Sequence, residues 1–336
     1  MADTKRLTLS DIFELSSSVL IGKGFSSAQA EAIAETITAA ERDGCQSHGL
    51  LRLSFYVQAL KNETADPVVE PTLRVSDSCV VHVESHGGFC PLALSVGEPA
   101  LIDKARKHGI AALAIHNTYN IAALWPEVER LAEAGLVAFA FTGANSYVAP
   151  AGGSKPLYGT NPMAFGFPRR DQPPLVFDQA SSASARGEIL LHLRSGKPLP
   201  AGWAIDEHGQ PTTDPEEALK GAQLPFGGHK GSSIALMIEL LAGVLIGDLL
   251  SSESKVADKH RVGAPLGGEL LLAIDPAHCN NGSDHLSRAE QLFASVLDQP
   301  GTRLPSQRRY SARVKHESDG VDVDVRLLDE IFEFGP

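Results

Sequence analysis

The sequence predicts an α/β protein of about two domains, and three observations carry that reading. Its 336 residues exceed one ordinary core at roughly 150 residues per domain. Hydrophobic residues make up 43% and charged residues 21%, the balance of a globular chain. From Val69 onward, short β-branched runs alternate with stretches of helical spacing.

The elements follow in order. Thr8 with Asp11, and Ser26 with Gln29, are capping-box patterns, so residues 1–60 read as a helical N-terminal region. Its second helix is Ala-rich, carries Ile33 and Ile37, and stops near Asp43-Gly44. Strands are expected from Val80 to Val83, Ile110 to Ile115, Leu136 to Thr142 and Leu175 to Asp178, with helices from Ala93 to Lys107 and Trp125 to Ala134. Between Gly143 and Pro174 the chain is rich in Gly, Pro and Asn, which reads as a functional loop. The run from Gly227 passes from glycines into an apolar helix. Its stretch Ile234 to Leu250 contains Glu239 and Asp248 and falls short of the ~20 apolar residues a bilayer needs, so a buried helix is expected. Residues 248 to 268 read as a flexible excursion, followed by a strand from Glu269 to Asp275 and a helix from about Ser287. Pro305 interrupts the C-terminal part before a last short helix near Val325.

Charge and cysteine usage exclude several functions. With 41 Asp+Glu against 29 Lys+Arg the net charge is −12, which repels polyphosphate, so no nucleic acid is expected as a partner. No membrane association is expected either. Cys45, Cys79, Cys90 and Cys279 lie far apart with no C-x-x-C, and Met1 to Leu7 lacks an apolar core, which together predict a cytoplasmic protein. There is no G-x-G-x-x-G after a strand, no G-x-x-x-x-G-K-[ST], no H-E-x-x-H and no G-x-S-x-G. Cys45 and His48 have metal-ligand spacing but no second pair, and His82 and His86 straddle a strand end, so no metal is expected.

Several polar constellations remain. Asp43 to Arg52 joins two helical stretches and places Ser47 beside His48, with Arg52 one helical turn later. A group that titrates near neutrality and a fork for carboxylate suit an enzyme acting on a small carboxylate. The same residues also fit a histidine at a helix end with a surface arginine. Gly159 to Pro162 is turn chemistry within the long loop, whose charged groups up to Arg170 are Lys155, Arg169 and Arg170 with no acid. Asp178 sits at a strand end, where α/β proteins hold ligands, and Arg186-Gly187-Glu188 opens a helix. The GGHKG run before the apolar helix resembles an anion cradle. Arg303, Arg308, Arg309, Arg313 and Lys315 form a basic run without an acid.

In series, D-x-x-x-S-H-G-x-x-R, G-T-N-P, F-D-x-A, A-R-G-E-I, the Pro200 to Pro215 segment and K-G-x-x-x-A-L-M-I-E-L-L-A-G resemble the malate/L-lactate dehydrogenase-like family of NAD(P)-dependent oxidoreductases. Within it, the chain looks like the branch that reduces cyclic imino acids. The resemblance implies a non-Rossmann cofactor domain with a seven-stranded, largely antiparallel sheet, a helical N-terminal region, and a homodimer. It places the cofactor domain at 61–135 and about 295–336, and the substrate and catalytic domain at 136–294. By motif position it implies His48 as proton donor, with Ser47 and Glu188 in a polar relay. Arg52, Thr160, Arg186 and Gly187 are implied around the substrate. Cofactor contacts are implied at Asn120, Ile121, Ala122, Ala123 and Leu124, at Asp178, Gln179 and Ala180, and at His229 and Lys230. The remaining ones fall at Pro305, Ser306, Gln307, Arg308, Arg309, Tyr310 and Ser311.

Two departures from the family pattern sharpen the expectation. His116 to Ala122 stands where 2-hydroxy-acid members typically carry N-S-x-H-F-G, which disfavours malate or lactate. Gln307-Arg308-Arg309 stands where an acidic residue is frequent, which suits the 2′-phosphate of NADPH over NADH. The expected reaction takes Δ1-piperideine-2-carboxylate to L-pipecolate and Δ1-pyrroline-2-carboxylate to L-proline. The alternatives are an NAD(P)-dependent 2-keto-acid reductase of the malate, lactate or ureidoglycolate type, and a non-catalytic binding protein of the same fold.

Overall fold

The computed structural model describes residues 3–333, so Met1 and Ala2 of the polar N-terminal stretch and residues 334–336 of the C-terminal segment lie outside it. The chain starts with a strand β1 (Thr4–Leu7), which the polar sequence gave no reason to expect, because its partner lies at the far end of the chain. Helices α1 (Leu9–Gly22) and α2 (Ser27–Arg42) then begin at Thr8 and Ser26, whose hydroxyls accept from Asp11 N and Gln29 N. Two tight turns, Gln46–His48 and Leu50–Arg52, lead into α3 (Leu53–Ala59).

The central body follows: β2 (Thr72–Val75), β3 (Val80–Glu84), α4 (Cys90–His108), β4 (Ile110–Tyr119), α5 (Trp125–Glu133) and β5 (Val137–Thr142). Next come β6 (Met163–Phe167), β7 (Leu175–Gln179) and α6 (Arg186–Ser195). A small excursion holds β8 (Ala204–Ile205), β9 (Pro211–Thr212), α7 (Pro215–Lys220) and β10 (Ala222–Gln223). Then α8 (His229–Ile238) runs into a π-helical turn over Glu239–Leu245. The chain ends with α9 (Ser251–Ala257), β11 (Leu266–Ile274), α10 (Pro276–Cys279), α11 (His285–Leu297), α12 (Gln307–Asp319), β12 (Val321–Asp324) and α13 (Val325–Glu333).

The main sheet has seven strands in the order β2-β3-β4-β11-β5-β6-β7, with β3–β4 as its parallel pair and antiparallel pairing elsewhere. Strand β11 inserts between β4 and β5, so residues on both sides of position 135/136 contribute strands to this sheet. On one face, Val81, Val83, Leu113, Ile115 and Leu271 pack under α4 and α5 with Leu101, Val128 and Leu131. The other face is covered by α8 and the π-helical turn, where Ile238 and Ala242 meet Phe141. A second core joins α1, α2 and α3 to β12 and α13.

Three expectations are corrected. The Gly143 to Pro174 loop contains β6, whose alternation was hidden by the glycines and prolines around it. Residues 248 to 268 hold helix α9 and the start of β11 and are therefore largely ordered. The apolar helix is not buried: Leu240 is 49%, Val244 58% and Leu245 67% exposed, because the sheet covers a single side of it.

Candidate active site

The site is assembled around Trp125, the first residue of α5, which is buried against the sheet. Its indole N–H donates to Asp43 Oδ2 at 3.1 Å, and its ring meets His48 edge-on with centroids 6.3 Å apart. Its backbone N–H, with that of Leu124, donates to Asp178 Oδ2 at 3.1 and 2.8 Å. Asp178 thus caps α5 from the end of β7, a favourable place for a carboxylate because the first N–H groups of a helix lack partners. Arg309 lies over the Trp125 ring at 5.0 Å.

His48 sits at the end of its turn, with Nδ1 3.1 Å from Ser47 Oγ. Burial, and secondarily the charge of Arg52, push its pKa down to about 3, so the ring is neutral in the free protein. Arg52 Nε donates to Ser47 O at 2.8 Å and its guanidinium lies over Phe55. Among the described residues no carboxylate lies within ion-pair distance of it. Glu41 supports this turn from α2: its Oε1 accepts from Leu50 N at 2.8 Å, and burial raises its pKa.

Three of the four expected cofactor segments converge at Asp178. The 120–124 loop is tied to it by Leu124 N, and Ser306 Oγ and Arg309 Nη2 both donate to Val176 O in the same strand. Tyr310 donates to Pro174 O at 2.7 Å. The fourth segment, His229 and Lys230, abuts Ser181. A β-carbon on Gly231 would lie 2.6 Å from Ser181 O, so only glycine lets α8 come this close. Ser181 in turn donates to Thr160 O through its N–H and its hydroxyl. Arg186 stacks on Tyr147 with its Cζ 3.8 Å from the ring centroid.

Asp178 is held at a pKa of about 6, raised by burial and opposed by its two backbone N–H partners and the charge of Arg309. The Arg309 Nη1 atom is buried with no hydrogen-bond partner, and so is Asn120 Oδ1. An orphan guanidinium N–H beside an aromatic platform fits a phosphorylated, flat-ringed cofactor, so these residues fit a nicotinamide dinucleotide.

Other expected residues fall elsewhere. Glu188 is exposed and makes no hydrogen bond to Ser47 or His48 among the described residues. Its neighbour Ile189 turns inward to Leu199, Ala204 and Ala218, leaving Glu188 toward solvent. The basic run is not a free anion surface throughout. Arg313 is committed to Asp43 and Glu129, each at 2.7 Å. Arg169 and Arg170 are likewise paired, with Glu290 and Asp284 at 2.7 Å each. Burial pushes the Cys45 thiol up to about 11, and no cluster of three or more potential metal-ligating side chains occurs among the described residues. No described helix is long and apolar enough to cross a membrane.

Sequence reasoning missed Trp125, Asp43 as an anchor for Trp125 and Arg313, and the stacking of both Lys255 and Arg186 on Tyr147. The one available signal was Trp125-Pro126 at a helix start.

Comparison with known proteins gives the family. The family described as Malate/L-lactate dehydrogenase matches residues 7–332. A Delta(1)-pyrroline-2-carboxylate/Delta(1)-piperideine-2-carboxylate reductase of Pseudomonas aeruginosa is 51% identical over 97% of this chain and 98% of its own length. A Delta(1)-pyrroline-2-carboxylate reductase of Ancylobacter novellus is 48% identical over 100% of this chain and 99% of its own. The crystal structure of delta1-piperideine-2-carboxylate reductase from Pseudomonas syringae pvar. tomato superposes with a TM-score of 0.94 at 38% identity, covering 99% of this chain and 100% of that one. This chain therefore belongs to the malate/L-lactate dehydrogenase family.

Proposed function

We propose that this protein is an NADPH-dependent reductase of cyclic imino acids, acting on Δ1-piperideine-2-carboxylate and Δ1-pyrroline-2-carboxylate. The observation that carries the chemistry is the convergence at Trp125 of a histidine and an orphan arginine, a proton donor beside an anion receptor. The substrate class rests on relatives near 50% identity whose names carry that activity.

The cofactor, when bound, supplies hydride to C2 of the imine. Asn120–Leu124, Asp178–Ala180, His229-Lys230 and Pro305–Ser311 would hold it, with Arg308 and Arg309 supplying positive charge suited to a 2′-phosphate. The largely antiparallel pairing of this sheet and the missing glycine fingerprint support a non-Rossmann cofactor domain. Arg52 pairs with the substrate carboxylate, and Thr160 and the Arg186-Gly187 turn line the ring. Ser47 fixes the His48 ring, and His48 gives its proton to the imine nitrogen. A carboxylate docked on Arg52 offsets the guanidinium's charge, the smaller of the two causes that lower the His48 pKa, and so raises its proton affinity, while burial, the larger cause, still holds it below the usual value.

The exposed apolar side of α8 and its π-helical turn (Leu236, Leu240, Val244, Leu245) supports a homodimer. Four free cysteines support a reducing, cytoplasmic setting. The test follows oxidation of NADPH and of NADH with both cyclic imines and with pyruvate and oxaloacetate. We expect turnover with NADPH and the imines. Faster turnover of the keto acids would overturn the assignment.

A further inference from the structure

Beneath the Asn120–Leu124 loop lies a carboxyl pair that the proposed chemistry leaves unused. Glu269, on β11, has no exposed surface, and Glu127, on α5, is 3% exposed. Cys90 donates its thiol proton to Glu269 Oε2 at 3.0 Å, and the Asn120 side-chain amide donates to the same oxygen. That leaves Glu269 Oε1 and Glu127 Oε2, both buried and both without a protein donor.

One shared proton satisfies both oxygens, since a protonated carboxyl donates to an ionised one. Burial and the charge of Glu269 hold Glu127 well above the usual carboxylate range, so Glu127 carries that proton. With one proton between the two orphan oxygens the pair keeps a single negative charge, and the donors Cys90 and Asn120 converge on its Glu269 side, at Oε2. Cations nearby are otherwise committed: Arg130 pairs with Glu98 at 2.8 Å, and Arg313 pairs with Asp43 and Glu129. A fully buried carboxylate without a cation is costly. Here Asn120, the first residue of the loop assigned to the cofactor, donates to it directly.

Loss of hydride, with its two electrons, from a neutral dihydronicotinamide leaves a ring bearing one positive charge, while the proton on Glu127 stays in place. We infer that Glu269, acting through Asn120, is a positioning residue whose fixed negative charge favours the oxidised, cationic cofactor and so assists hydride departure. This rests on the reading that the 120–124 loop contacts the cofactor.

The test measures equilibrium binding of NADP⁺ and of NADPH to the purified protein, without turnover. Glu269→Gln keeps the shape and removes the charge, and should weaken NADP⁺ relative to NADPH by about tenfold. Glu127→Gln keeps a donor to Glu269 and leaves its charge, so the ratio of affinities should stay within twofold of wild type. The double variant, with two amides in place of the pair, should repeat the tenfold loss and serves if Glu269→Gln alone does not fold. An unchanged ratio when the charge is removed, or an equal shift in Glu127→Gln, overturns the inference. Asn120→Ala tests the underlying loop assignment separately: it should weaken both cofactors, and if it weakens neither, the loop reading falls and the inference with it.

Discussion

The carboxylate of Glu41 occupies the space where a β-carbon on Gly49 would stand, and with the same oxygen it accepts the N–H of Leu50. The glycine of the Ser47-His48-Gly49 sequence therefore leaves room for a carboxylate from the preceding helix to reach the turn. Gly49→Ala should push the turn off Glu41 and displace His48, costing about 10²-fold in kcat with the fold intact. Unchanged kcat, with circular dichroism confirming native helix content, would show that the turn absorbs the methyl group.

His48→Ala should lower kcat by roughly 10²-fold or more by removing the proposed proton donor. NADPH binding should be retained, because the proposed cofactor contacts lie on other segments. Stopped-flow turnover together with fluorescence titration separates these two effects.

Arg52→Met should raise KM for the imine far more than it lowers kcat. It should also move the His48 pKa up from about 3, because one of its two depressing causes is gone. Titration of the His48 ring signals by NMR reads this directly. A fall, or no change, would contradict the proposed coupling between carboxylate docking and protonation.

Asp178 has a folded-state pKa of about 6, above the ordinary aspartate value near 3.9. Its ionised form is thus disfavoured in the fold, and its contribution to stability falls as pH rises from about 4 to about 6. Asp178→Asn keeps an oxygen to accept from Leu124 and Trp125, so its Tm relative to wild type should be higher at pH 8 than at pH 4. Differential scanning calorimetry at the two pH values checks the sign.

Arg309→Met should reduce the preference for NADPH over NADH about tenfold or more, as it removes the guanidinium with the orphan N–H. The ratio of kcat/KM for the two cofactors is the readout. Arg313→Met, by contrast, should chiefly lower Tm, because it leaves Glu129 buried without its cation and Asp43 with Arg42 alone.

The parts of this protein legible in its sequence are those set by local rules. Thr8 and Ser26 open helices because their hydroxyls meet N–H groups three residues on, and that spacing is visible in any sequence. The strand β6 was hidden because its support comes from β5 and β7 and its flanks are turn residues. Arg313 read as one more charge in a basic run, yet it is paired with residues 270 and 184 positions away. The Ser47-His48 pair was legible because its members adjoin. Glu188, joined to them by family resemblance alone, lies on an exposed helix face. Long-range pairing thus decided which candidates became neighbours.

Trp125 touches His48, Asp43, Asp178 and Arg309, and the chain's other tryptophan, Trp203, packs in the separate cluster with Ile189 and Leu199. The protein therefore carries its own optical gauge. Emission from one indole reports events at the reaction centre, and Trp203→Phe would leave that single reporter, against which arrival of a reduced, near-ultraviolet-absorbing cofactor can be followed by quenching and energy transfer.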